Sequence, residues 1–216
     1  MHTLNKTTLF FAVSLSALAG YVDAIGFLEL GRIFVSFMSG NTTQMAVELA
    51  RNNWERALLL SQIICCFVTG AALGTTLGHF VSPEKRIFTI LSGVVVLLIL
   101  AAISYRLGMQ VTSILLVAVA MGIENTIFER AGEITVGVTY ISGTLVKLGQ
   151  RIAQRLLGSN KDALAPYFLL WLGLIMGGIA GALAYNTIGA SSGLWLGATW
   201  SALLAIVAKL KNMAPI

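Results

Sequence analysis

Ile33-Phe34-Val35-Ser36-Phe37-Met38-Ser39-Gly40-Asn41-Thr42-Thr43-Gln44 is a polar interruption in a strongly apolar neighbourhood, and its reading decides the fold. Residues 33–38 are mostly β-branched or aromatic, which suits an extended run. Ser39-Gly40-Asn41 then breaks the chain and offers side chains of the helix-capping type. From Thr42 to Arg51 the residues are helix-compatible. The pattern predicts an extended segment, a break and a half-helix. A second copy comes later as Ile134-Thr135-Val136-Gly137-Val138-Thr139-Tyr140-Ile141-Ser142-Gly143-Thr144-Leu145-Val146-Lys147. Two such segments in one membrane protein point to a binding or conduction site, because irregular backbone at membrane depth is tolerated only in protein or along a cavity.

Composition makes this a polytopic membrane protein. Of its 216 residues, 57% are hydrophobic and 11% charged, where a soluble domain carries about 25% charged residues. Mean hydropathy is +0.86. No linker or low-complexity tract divides the chain, so residues 1–216 read as one membrane domain. A net charge of +5 would suggest nucleic acid in a soluble protein. Here the basic residues cluster in short loops between apolar runs, the positive-inside pattern, and no nucleic-acid-reading motif accompanies them. The expected partners are therefore the lipid bilayer and a small solute.

Cys65 and Cys66 are adjacent and lack metal-ligand spacing, and the only histidines are His2 and His79, so no metal site is expected. There is no H-E-x-x-H, P-loop or dinucleotide fingerprint and no plausible Ser–His pair, so neither an enzyme nor a cofactor is expected. Lys6 followed by Leu9 to Ala19 resembles a signal peptide, with Ala17-Leu18-Ala19 at a cleavage position. The apolar run continues past it and forms part of a repeat, so retention is expected.

Runs of spanning length predict helices over about 8–30, 57–81, 87–105, 111–129, 163–186 and 192–209, with broken segments at 31–51 and 132–157. The fold class is thus all-α integral membrane, six transmembrane helices plus two broken segments. The halves, 8–105 and 111–210, repeat. At a shift of 103, Ser39-Gly40 falls on Ser142-Gly143, and Gly70, Gly74 and Gly78 fall on Gly173, Gly177 and Gly181. At a shift of 101, Gly31 meets Gly132, Phe27 meets Phe128 and Asp23 meets Glu124. The glycine runs predict close backbone packing, within the chain or between copies as a homo-oligomer.

If the broken segments dip in and return, there are six crossings and the repeats are inverted. If they cross, there are eight and the repeats are parallel. Either way 10 of the 14 Lys and Arg fall on the cytoplasmic side with both termini. Charge bias does not separate the two. The weak apolar content of 31–51 favours six crossings with inverted repeats.

Tyr21-Val22-Asp23-Ala24-Ile25-Gly26-Phe27, followed by Phe34-Val35-Ser36-Phe37-Met38-Ser39-Gly40-Asn41-Thr42, resembles the bacterial YoaK family, also called DUF1275, over essentially the whole chain. The resemblance implies a multi-pass protein of the bacterial inner membrane and brings no activity or catalytic residues.

The chemistry has to come from the residues. Asp23 and Glu124 lie inside apolar helices at matching repeat positions, where a carboxylate costs about 2.5–3.5 kcal/mol on insertion scales and normally has a role. With Asn125 they are candidates for proton or cation coupling, or for holding a broken segment through its free N–H groups. Ser39, Gly40, Asn41, Thr42, Ser142, Gly143 and Thr144 stand where extended chain becomes helix, and are the candidate substrate-binding residues. The expected function is small-solute transport between the two breaks. A passive channel with re-entrant half-helices, or a membrane scaffold, is the alternative.

Overall fold

The computed structural model describes residues 6–130, 133–134, 140–158 and 164–213. They form helices joined by turns and by one extended stretch, with a two-residue antiparallel pairing of β1 (Glu129–Arg130) with β2 (Glu133–Ile134). The helices are α1 (Lys6–Glu29), α2 (Met38–Ala50), α3 (Trp54–His79), α4 (Pro83–Arg106), α5 (Gln110–Glu124), α6 (Ile141–Leu156) and α7 (Ala165–Leu210). Among the described residues α1, α3, α4 and α7 are long and apolar enough to cross a membrane, and α5 is apolar but shorter. The expected fourth helix thus ends at Glu124, ahead of residue 129, because residues 125–128 form a turn.

With 46 residues, α7 would be about 69 Å long if straight, over twice the roughly 30 Å hydrocarbon core. It is bent. Gly189 takes φ 79° and ψ 166°, a conformation open to glycine and closed to most other residues. Ala184 and Gly193 face each other across the bend, so the arms 165–188 and 190–210 form a helical hairpin.

Side-chain bonds fix the helix directions. Gly173, Gly177 and Gly181 lie against Val13, Ala17 and Tyr21, so the first arm of α7 runs parallel to α1. Tyr21 donates to the Gly193 carbonyl (2.9 Å) and Trp200 to Ser14 (3.1 Å), so the second arm runs antiparallel to α1. That arm is also antiparallel to α4: Arg106 donates to Ser191 (3.2 Å), and Lys209 lies 5.1 Å from the Phe88 ring centre. Ser113 donates to the Ala101 carbonyl (2.8 Å) and Arg86 to the Thr126 carbonyl (3.4 Å), which sets α5 antiparallel to α4. Gly70 and Gly74 lie against Val119 and Ile123, so α3 is parallel to α5. Accordingly α1, α4 and the first arm of α7 point one way, while α3, α5 and the second arm point the other.

Two consequences follow for the connections. The stretch between α1 and α3 starts and finishes at one end of the bundle. The stretch between α5 and α7 starts and finishes at the opposite end.

The helices touch where side chains are smallest. A Cβ on Gly177 would run into the Ala17 backbone, one on Gly70 into Val119, and one on Gly122 into Phe67. The glycines of both runs are therefore buried within the chain, where they serve packing between its own helices. The core is built around α1, where Phe11, Leu15, Leu18 and Ile25 are fully enclosed. Large apolar side chains such as Phe10, Val68, Val96, Leu183 and Leu203 point outward, a surface that lipid solvates and water does not.

Candidate functional site between the interrupted segments

The first interrupted segment begins where α1 ends. Gly31 (φ 64°) and Arg32 (φ 75°) are both left-handed, and the Arg32 N–H bonds back to the Phe27 carbonyl (2.8 Å). This reverses the chain, and residues 33–37 run back beside α1. Their backbone groups would be unmet in an apolar surrounding. Asp23 meets them. Its Oδ1 accepts the N–H groups of Val35 and Ser36, each at 2.7 Å, and its Oδ2 accepts the Ser36 hydroxyl at 2.5 Å. Asn41 performs the same service from the other side. Its Oδ1 accepts the Phe34 N–H (3.0 Å) and its Nδ2 donates to the Phe34 carbonyl (2.6 Å).

This corrects the expected break. Helix α2 starts at Met38, so Ser39-Gly40-Asn41 form its first turn and do not precede it. No side chain caps that start. The buried Asn41 looks like a cap in the sequence but clamps the extended residues before the helix.

In the second half α6 starts at Ile141, 103 residues after Met38, and Ser142-Gly143-Thr144 form its first turn. The aromatic residue before each helix lies over the glycine in the turn: Phe37 over Gly40 and Tyr140 over Gly143. Thr144 is buried like Asn41, but its hydroxyl donates only to the Tyr140 carbonyl one turn back (3.2 Å). Residues 135–139 of the expected extended run lie outside the described residues.

Between the two helix starts is an open groove of about 570 Å³. The first half contributes Asp23, Ser36 and Phe37, and the second contributes Ile141, Ser142 and Leu145, with Gly178 of α7 between them. The walls are mainly apolar, with a few polar groups. Of the residues expected at the site, Asp23 and Ser142 line the groove. Gly40, Asn41, Gly143 and Thr144 shape the backbone beside it. Ser39 and Thr42 are exposed and do not line it; the Thr42 hydroxyl donates to the Met38 carbonyl (2.8 Å).

Glu124 and Asn125 are buried at the end of α5, away from the groove lining. Asn125 donates to the Met121 carbonyl (2.8 Å). Neither oxygen of Glu124 has a hydrogen-bond partner among the described residues, and the carboxyl lies within the field of Asp23. Among the described residues no three His, Cys, Asp or Glu side chains gather as a metal would need. The reading from sequence missed Ser36, Phe37, Ile141 and Leu145. Ser36 left a signal, as the one polar residue in 33–38. The apolar three left none.

Residues 11–207 match the family model described as "Protein of unknown function (DUF1275)". The chain is 30% identical over 204 residues to the UPF0700 transmembrane protein RA0705 of Rhizobium meliloti (strain 1021), covering 94% of this chain and 87% of that one. It is 27% identical over 144 residues to the UPF0700 transmembrane protein YoaK of Bacillus subtilis (strain 168), covering 64% of each. No solved structure matches it significantly. A match over nearly the whole length, together with relatives named as transmembrane proteins, places the chain in the DUF1275 family of transmembrane proteins.

Proposed function

We propose that this protein is a non-enzymatic small-solute transporter of the bacterial inner membrane, with its site in the groove between the starts of α2 and α6. The observation that carries the reading is that groove, which takes residues from both interrupted segments. Irregular backbone is kept at membrane depth where it serves a cavity, and half-helix starts with their free N–H groups are the usual solute contacts of such proteins.

The architecture we propose is six crossings in two inverted repeats, with the broken segments 31–51 and 132–157 re-entering from opposite faces and both termini cytoplasmic. Helix directions support it. The two arms of α7 with α1, α3, α4 and α5 give three helices in each direction, and α4 is antiparallel to the second arm. An eight-crossing chain would make those two parallel. Reporter fusions after residue 53 and after residue 216 test the arrangement; six crossings require outside and inside respectively.

Within this reading Ser36 and Ser142 offer hydroxyls to the solute, while Phe37, Ile141 and Leu145 select its apolar part. Asp23 is occupied in holding residues 35–36, which leaves Glu124 as the better coupling group. Uptake by vesicles containing the purified protein, scored over a panel of small solutes at two pH values, tests the proposal. Wild type should carry at least one solute in a pH-dependent way, and Glu124→Gln should remove the pH dependence.

The full engagement of Asp23 also favours a second reading, a passive channel, since that carboxylate acts as scaffold. Transport that is saturable and pH-dependent rejects the channel. Linear, pH-independent flux rejects the coupled transporter.

A further inference from the structure

A second pocket lies at the end of the bundle where the stretch between α1 and α3 begins and finishes. Arg32, Arg51, Arg56 and Glu48 line a cavity of about 470 Å³ whose apolar side includes Phe27 and Phe34. Three guanidinium groups therefore face one carboxylate. Glu48 does not neutralise them tightly: its Oε1 is 3.8 Å from Arg51 and 3.9 Å from Arg56, too far for the forked pairing of a strong Arg–carboxylate bond. Its Oε2 accepts from Asn53 instead (2.9 Å).

The arginines are also held in place. Arg56 donates to the Gly31 carbonyl. Arg32 sits at φ 75°, which is rare for a long side chain, and Gln44 fixes its carbonyl with a 2.7 Å bond. Backbone in sparsely populated conformations collects at ligand sites.

We propose that this pocket binds a phosphate-type oxyanion attached to an apolar body. Arg32, Arg51 and Arg56 are the donors, and Phe27 and Phe34 form the wall for the apolar part. A guanidinium presents two parallel N–H groups at the spacing of two phosphate oxygens, which an ammonium does not. In the orientation proposed above this end faces outward, so that three of the four basic residues expected outside gather in one pocket without serving the positive-inside bias. The placement outside rests on that orientation; the binding does not, and it does not require transport.

The same chemistry is offered by an anionic phospholipid headgroup and by a soluble phosphate. The full chain, purified in a neutral detergent, is unfolded thermally in four conditions: inorganic phosphate, sodium chloride of equal ionic strength, added phosphatidylglycerol, and added phosphatidylcholine. Phosphate or phosphatidylglycerol should raise the midpoint by several degrees over its control. Arg51→Gln should abolish the rise, and this arginine is exposed enough for the variant to fold. Arg106→Gln, outside the pocket, should keep it. A rise with phosphatidylglycerol alone identifies the lipid headgroup, and a rise with phosphate identifies a soluble anion. No rise in either arm overturns the site, as does a rise that survives Arg51→Gln or is lost equally in Arg106→Gln. Failure of solute uptake leaves these outcomes unaffected, so the two readings fail separately.

Discussion

Asp23 and Glu124 fall on each other at a sequence shift of 101 residues, yet their surroundings differ. Asp23 accepts two backbone N–H groups and a hydroxyl from the segment that follows it. Glu124 is buried at the last residue of α5, with no hydrogen-bond partner among the described residues. Two acids that coincide under one sequence shift but differ in their partners separate two tasks: holding backbone and, in the transport we propose, carrying a proton.

The largest expected effect tests the first task. Asp23→Ala leaves the Val35 and Ser36 N–H groups without an acceptor in a half-buried, mainly apolar setting, and should cost about 3–5 kcal/mol. Asp23→Asn keeps an oxygen for both N–H groups and loses only the charge, so it should cost about 1 kcal/mol. Glu124→Gln should change stability by less than about 1 kcal/mol, because no described partner is lost. Reversible unfolding of the purified protein in mixed micelles measures all three. A loss for Glu124→Gln that matches Asp23→Ala would make both acids structural and end the contrast.

Next in size is a pair in which the halves should behave alike. Gly70 and Gly177 lie one turn from exact correspondence and both press on the backbone of a parallel helix, Gly70 on Val119 and Gly177 on Ala17. Neither neighbour is a flexible side-chain end that can move aside. Gly70→Ala and Gly177→Ala should each cost about 1–3 kcal/mol by the same unfolding measurement. Gly93, in α4, has open space where its Cβ would go. Gly93→Ala should be neutral, or stabilising by up to about 1 kcal/mol. Equal effects at Gly93 and Gly177 would mean that the contacts between the helix backbones are looser than described.

The glycine runs were legible because close helix packing in a membrane leaves a spacing signature in the sequence. So was the departure from helix over residues 33–37, since β-branched and aromatic residues run ahead of Ser-Gly there; residues 135–139 of the second expected run lie outside the described residues. The role of Asn41 was not. A side chain that caps a helix and one that clamps the extended residues before it are the same residue at nearly the same place, and only the starting residue of the helix tells them apart. The bend in α7 was visible as a fall in apolar content near Asn186, but the reversal rests on the single left-handed Gly189, one glycine among 22. The apolar lining of the groove was hidden for a more general reason. Ile141 and Leu145 differ from the surrounding apolar residues only in which face of α6 they occupy.

Asn41 and Thr144 bring the comparison of the halves down to single hydrogen bonds. Each is the buried polar residue in the first turn of its helix, three residues after the first helical position. Asn41 reaches out of its helix and satisfies both main-chain groups of Phe34, so Asn41→Ala leaves a donor and an acceptor unmet and should cost about 2 kcal/mol.

Thr144 bonds only the Tyr140 carbonyl one turn back. A carbonyl near a helix start already accepts from the backbone, here from the Thr144 N–H at 3.2 Å, so the hydroxyl bond adds a second partner to a group that has one. Thr144→Val keeps the branched shape and removes only that second partner, and should cost less than about 1 kcal/mol. This is among the smallest effects predicted, and it sharpens the comparison most finely. If the loss at Thr144 equalled that at Asn41, its hydroxyl would be holding something beyond its own turn, and the second half would be clamped as firmly as the first.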